Sequence, residues 1–257
     1  MTETADKASY IKGLAWLLLG TGVAVVLAFG IAPFVRAVPF GWERSLAQVI
    51  QPVPPADVCA GTFQQRALLK KLMGRLYPLD KNDSRFSFDV HILNSAQVNA
   101  FAELGGEIFI DKGLLQKARS PEEVAGVLAH EMSHVSRRHI LEGFLVRVMT
   151  FQGLQLIFGP SVSNAQWAAL FMNMGFTRSQ EAEADRGALE RLQKAHIDNR
   201  GFEAFFERMA RSGSMPEFLS DHPSNESRLE MIKEFPNGYT RPVMSDEEWK
   251  VFKAYCR

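Results

Sequence analysis

The segment Ser120-Pro121-Glu122-Glu123 restricts this chain more than any other feature, because it opens a helix that carries His130-Glu131-Met132-Ser133-His134. Ser120 suits the N-cap, Pro121 the first helical position, and Glu123 completes a capping box. The apolar periodicity predicts a helix running to about Glu142. At about 100° per residue, positions 130 and 134 lie only about 40° apart. Two imidazoles one turn apart can therefore reach one ion at about 2.0–2.1 Å. Glu131, beside His130, is placed to take the proton of water activated by that ion and pass it to a leaving amine. Val124, Val127, Leu128, Ala129 and Val135 surround the motif, so its face is expected inside the domain, where buried histidines need partners and a metal supplies them.

A third ligand has few sources. The chain has six histidines and two cysteines, Cys59 and Cys256. Neither cysteine belongs to a C-x-x-C pair, which excludes a cysteine zinc site. Arg137 and Ile140 stand where a metzincin needs Gly and His. His139 lies off the His130/His134 face of a continuous helix and reads as a surface residue, and Glu142 is two turns too far along the axis. From Gly143 to Gln180 there is no Asp, Glu or His. The next candidates are Glu181, Glu183 and Asp185. Glu181 and Asp185 share a face and Glu183 points away, so Glu181 as ligand with Asp185 orienting a ligand histidine suits an open catalytic site.

The remaining sequence sets the frame. Gly13 to Val35 gives 23 residues without a charge, bracketed by Lys12 and Arg36; at about 1.5 Å per residue it spans a hydrocarbon core. Its length argues against a cleaved signal peptide. The domains expected are a tail (1–12), a transmembrane anchor (13–35), a linker (36–58) that is stiff at Gln51–Asp57, and a globular domain (59–257). With 29 basic and 29 acidic residues the net charge is zero, so nucleic acid is not an expected partner. Thr62–Tyr77 reads as an amphipathic helix. Phe86–Asn94, Val98–Ala102 and Glu107–Asp111 read as strands of a small antiparallel meander beside the motif helix. A short helix is expected over Gly113–Ala118, others over Ser179–Lys194 and roughly 201–212, 224–234 and 245–255. Phe144–Phe176, interrupted at Gly159-Pro160, predicts a core hairpin or lid; it is short of a clean membrane span. The fold class is thus α+β, mostly α. An edge strand beside the motif helix can pair with an extended peptide, with Asn99, Ala100 and Phe101 the first candidate and Gly106–Ile108 the second. His222, held extended before Pro223, is a candidate for the site as an oxyanion donor or as an occupant of the metal's open position; a surface role is the alternative. Arg228 is a candidate for the substrate carbonyl or for orienting the His222 loop. Cys59 and Cys256 flank the globular unit and are able to pair in an oxidising compartment.

Taken together, Val98–Ala102, Gly105–Ile110, Gly113-Leu114-Leu115, Glu123, His130–His134, Glu181-Ala182-Glu183-Ala184-Asp185, His222-Pro223 and Arg228 resemble the gluzincin metallopeptidases of family forty-eight over roughly residues 60–235. That family includes the HtpX heat-shock proteases and the CaaX prenyl endopeptidases. The resemblance implies a zincin-like fold, one Zn2+ per chain, and Glu181 as third ligand. It further implies an endopeptidase acting on damaged or unassembled membrane or envelope polypeptides. The single span is closer to the family's anchored or periplasmic quality-control members than to prenyl processing. It implies a single-pass protein whose catalytic domain is extracytoplasmic, periplasmic in a bacterium.

Overall fold

A computed structural model describes residues 30–50, 57–77, 83–158, 175–211, 222 and 226–256. The chain divides into two bodies, Met1–Val38 and Pro39–Arg257. In the first, Gly30 takes a positive φ of 73°, and a six-residue helix α1 (Ala32–Ala37) follows with Pro in its first turn. The last residues of the expected anchor therefore belong to a separate short helix, and 13–29 lie outside the described residues. No helix of the described residues is long and apolar enough to cross a membrane.

The second body is mostly helical with one small sheet. Where a linker was expected, Phe40–Ile50 forms helix α2 and buries Glu43 and Ala47. Helix α3 (Phe63–Leu76) opens on a capping box of Thr62 and Gln65. The strands are β1 (Asp89–Leu93), β2 (Ala100–Ala102) and β3 (Glu107–Asp111). They do not form an antiparallel meander. Their order is β1-β3-β2, with β1 parallel and β2 antiparallel to β3. Alternation identifies a strand's faces but not its neighbours. β2 has three residues and takes an edge, whereas β3 buries four of its five and pairs on both sides. The second edge-strand candidate, Gly106–Ile108, accordingly falls at the start of the central strand. β1's outer edge is bridged by Val58 at Leu93.

After the short α4 (Lys112–Lys117) comes the motif helix, α5 (Pro121–Ser136). Ser120 Oγ accepts from Glu123 N–H, as the cap predicts. The Glu123 carboxylate departs from a capping box: it accepts from Arg119 N–H and from Arg208. The helix ends earlier than its periodicity predicts. Arg138 adopts φ 67° and pairs with Glu43 of α2 at 2.7 Å, and a new helix α6 (His139–Phe158) begins at once. Helices α7 (Arg178–Lys194, capped by Thr177), α8 (Arg200–Ala210), α9 (Glu226–Glu234) and α10 (Asp246–Lys253, capped by Ser245 and Glu248) follow among the described residues.

α5 is the centre of the packing, in contact with α7, α8 and β2. Two glycines set these approaches. A Cβ at Gly187 of α7 would lie 2.8 Å from Ser133 Oγ, and one at Gly126 of α5 would lie 2.5 Å from Phe202 of α8. The Gly187 approach brings the acidic first turns of α7 over the motif. Cys59 and Cys256 are joined in a disulfide, closing a loop of sequence separation 197.

Candidate metal centre

α5 is buried along its whole motif, and His130, Glu131 and His134 are each fully inaccessible. α7 contributes Glu181 and Asp185 from its first turns, and the segment before α9 contributes His222. One donor atom from each of His130, His134, Glu181 and His222 lies within 4.8 Å of every other. His130 Nε2 is 3.1 Å from His134 Nε2, 3.5 Å from Glu181 Oε2 and 3.3 Å from His222 Nδ1. His134 Nε2 is 3.6 Å from Glu181 Oε1. Donors around a tetrahedral zinc with bonds of about 2.0–2.1 Å stand about 3.3–3.4 Å apart, so the spacing fits such an ion.

Charge fits as well. The described residues at the centre include three buried carboxylates, Glu131, Glu181 and Asp185, and one buried guanidinium, Arg228. With the imidazoles neutral, as ligation requires, the deficit of two charges matches a divalent cation. Burial opposes the charge of Glu181, but the neighbouring His130 and His222 outweigh it and hold the carboxyl below its usual range. Burial likewise opposes the charge of Asp185, and Arg228 and His130 overcome it. Burial first, and then the neighbouring His130, His222, His139 and Arg228, push His134 well below the usual histidine range, leaving the neutral ring that a metal needs.

Neighbouring groups fix the imidazole tautomers. His130 Nδ1 is 2.9 Å from Asp185 Oδ1; the carboxylate only accepts, so its charge favours the tautomer with the proton on Nδ1 and the Nε2 lone pair toward the centre. Arg228 in turn holds Asp185, through Nε at 2.5 Å and Nη2 at 2.8 Å, and reaches Glu181 at 2.8 Å. Its guanidinium lies 5.1 Å from the Phe206 ring centroid. Arg228, expected either to orient the His222 loop or to meet the substrate carbonyl, is buried behind the donor carboxylates and donates from Nη1 to the His222 carbonyl at 3.3 Å. His139, expected on the surface, is buried, and its Nδ1 lies 3.1 Å from His134 Nδ1. Burial pushes His139 down to about 4; with the proton of the neutral ring on Nε2, 3.7 Å from the Glu183 carboxylate, Nδ1 is the atom that can accept the His134 Nδ1–H and turn the His134 Nε2 lone pair inward. Phe176 stacks on His134 with centroids 3.8 Å apart. Neither His139 nor Phe176 has a spacing on a continuous helix that would reveal it.

Of the residues expected to meet substrate, Asn99 is buried and its Oδ1 accepts from Ala100 N–H. Ala100 is buried, Phe101 is half-buried and stacks on Phe109. Both belong to β2, the edge strand that contacts α5. Glu183, dismissed as a ligand, lies outside the donor cluster with its carboxylate 3.8 Å from Arg137.

A motif helix giving two histidines and an adjacent glutamate, closed by a glutamate from a second helix, is the arrangement of a metallopeptidase domain. Residues 65–235 match the family described as Peptidase family M48, and the chain belongs to that family. It is 34% identical over 152 residues to the mitochondrial metalloendopeptidase OMA1 of Arabidopsis thaliana, covering 57% of this chain and 31% of that protein. It is 30% identical over 193 residues to the beta-barrel assembly-enhancing protease of Escherichia coli K12, covering 67% of this chain and 39% of that one. With OMA1 of Schizosaccharomyces pombe it shares 29% identity over 187 residues, 67% and 55% of the two chains. The chain therefore spans between about a third and just over half of these curated relatives.

Proposed function

We propose that this protein is a membrane-anchored zinc endopeptidase that cuts unfolded or misassembled membrane or envelope polypeptides. The observation that carries the reading is the convergence of His130, His134, Glu181 and His222 with Glu131 at the same buried centre. His130, His134 and Glu181 would hold the metal. When bound, zinc supplies Lewis acidity, acidifying water and polarising a carbonyl. Glu131 takes the proton of the attacking water and delivers it to the departing amine. Asp185 and Arg228 keep His130 in the ligating tautomer. An extended substrate adds to the open edge of β2 at Ala100–Ala102.

His222 has two readings, and the geometry favours one. Its Nδ1 lies with the donors, 2.9 Å from Glu181 Oε1, while its Nε2 is 3.4 Å from Glu131 Oε1. This supports a resting state in which His222 fills the fourth donor position and is displaced by substrate. The names of the relatives, a mitochondrial metalloendopeptidase and a beta-barrel assembly-enhancing protease, support proteolysis linked to mitochondrial or β-barrel-bearing membranes. The Cys59–Cys256 disulfide supports an oxidising, extracytoplasmic compartment for the catalytic domain, and the apolar run 13–35 supports the anchor.

One experiment tests the reading. The full chain is incubated with an unfolded protein, with and without a zinc chelator, beside Glu131→Gln. The expected result is cleavage that the chelator stops and that Glu131→Gln lacks while retaining one zinc per chain. Cleavage by Glu131→Gln at the wild-type rate would refute the assignment of the base.

A further inference from the structure

A water-facing helix normally buries its apolar stripe and exposes its charges. α2 buries Glu43 with Ala47 on one side and leaves large apolar side chains exposed on the other. Glu43 is 2% exposed, whereas Trp42 is 73%, Val49 79% and Ile50 40% exposed. Trp42 and Val49 are seven residues apart, which is about 20° short of two full turns, so they share one stripe. Scattered apolar side chains on a surface are ordinary. Here three of the seven large apolar side chains exposed among the described residues of the Pro39–Arg257 body fall on one eleven-residue helix.

The orientation of that stripe is fixed from below. The Glu43 carboxylate accepts from Gly105 N–H at 3.1 Å and pairs with Arg138 at 2.7 Å. Arg44 pairs with Asp89 at 2.7 Å. The helix cannot roll to hide Trp42 without breaking a buried ion pair, which is strongly unfavourable.

We propose that the outer face of α2 docks on a lipid bilayer, with Trp42, Val49 and Ile50 seated in the interface. The position in the chain argues for lipid over a protein partner. The uncharged run Gly13–Val35 ends five residues before Phe40, and helix α1 takes up part of that connection. Five residue steps reach at most about 18 Å even when extended, so a chain anchored through that run keeps α2 close to the membrane surface. Tryptophan is the side chain favoured at that depth, and an interfacial helix buries its apolar face about 5–10 Å into the headgroup boundary. The inference rests on the membrane-anchored reading given above. It adds a consequence: α2 is tied to Gly105, beside the β2–β3 turn, and to Arg138, at the end of the motif helix. Docking therefore holds the edge strand and the donor cluster at a set height over the bilayer, which favours substrates emerging from it.

The test uses the full chain in phosphatidylcholine vesicles. Val49→Cys carries an environment-sensitive fluorophore; the site is exposed, so labelling disturbs no packing. Lipids bearing a nitroxide at shallow depth report contact, and alkaline carbonate washing of the same vesicles reports anchoring. The expected result is emission shifted to shorter wavelength and quenched by the lipid nitroxide, in a chain that resists carbonate. A carbonate-resistant chain whose label stays in water overturns the docking proposal and leaves the anchor standing. A label shielded from water yet unquenched by lipid, with chain-to-chain crosslinking by a bis-maleimide in the unlabelled Val49→Cys chain, assigns the face to a second copy and also overturns it. Release by carbonate removes the anchored reading, and the docking proposal with it. As a second variant, Trp42→Glu should lower cleavage of a membrane-inserted substrate and leave cleavage of a soluble unfolded one unchanged; equal rates on both would count against docking.

Discussion

Replacing Arg228 by methionine separates the two roles that its position allows. The side chain is 2% exposed. It donates to Asp185 at 2.5 and 2.8 Å, reaches Glu181 at 2.8 Å and donates to the His222 carbonyl at 3.3 Å. Methionine keeps much of the volume and removes every donor. Breaking a buried ion pair by deleting one partner costs about 3–5 kcal/mol. For a domain of this size each kcal/mol moves Tm by roughly 2–4 °C, so the chelator-treated variant should melt about 6–20 °C lower. With zinc bound, the ion compensates Glu181 and the loss should be smaller. Asp185 then aligns His130 without its own support, and zinc affinity should fall about 10–100-fold. The assay is calorimetry of the detergent-solubilised full chain, with and without zinc, beside chelator competition for the metal. Unchanged Tm and unchanged zinc affinity, with only KM raised, would refute the positioning role and return Arg228 to the substrate.

His139→Ala should weaken zinc binding about 10–100-fold by freeing the His134 ring, and His139→Gln should recover part of it through the amide acceptor; chelator competition decides, and equal affinity in all three would refute the His139 contact. His222→Ala should raise basal cleavage with zinc retained by His130, His134 and Glu181, whereas lowered kcat with zinc retained would assign His222 to the oxyanion instead. Reducing the Cys59–Cys256 bond, whose cysteines are 197 residues apart in sequence, should cost at most about 5 kcal/mol on loop-closure entropy; urea unfolding of Cys59→Ser against the oxidised chain measures it, and coincident curves would mean that the bond adds nothing.

What the sequence made legible was local. The same-face spacing of His130 with His134 and of Glu181 with Asp185 follows from helix geometry alone, and the structure brings all four to one centre. The caps at Ser120 and Ser245 are equally local. Sheet order was not legible, because the alternation of Val90, Ile92 and Ile110 marks faces and carries no information about which strand lies between which. Arg228 reaches Asp185 across a separation of 43 residues, and no periodicity encodes that contact.

Two misreadings, of α2 as linker and of His139 as surface, have one cause. On a continuous helix His139 lies about 140° from His134, which is why it reads as remote. The helix is not continuous. Glu43, buried in α2, pairs with Arg138 at 2.7 Å, and Arg138 takes the left-handed backbone at φ 67° that ends α5 and starts α6. That break turns His139 back so that its Nδ1 meets His134 Nδ1 at 3.1 Å. The partners are 95 residues apart in the chain, so neither a helical periodicity nor a composition window detects them. The same pair couples the helix that we assign to the membrane surface to a histidine that orients a donor of the metal centre. A charge-breaking change at Glu43 is therefore expected to disturb the alignment of His134 from a distance, through Arg138 and His139, while leaving all four donors in the sequence intact.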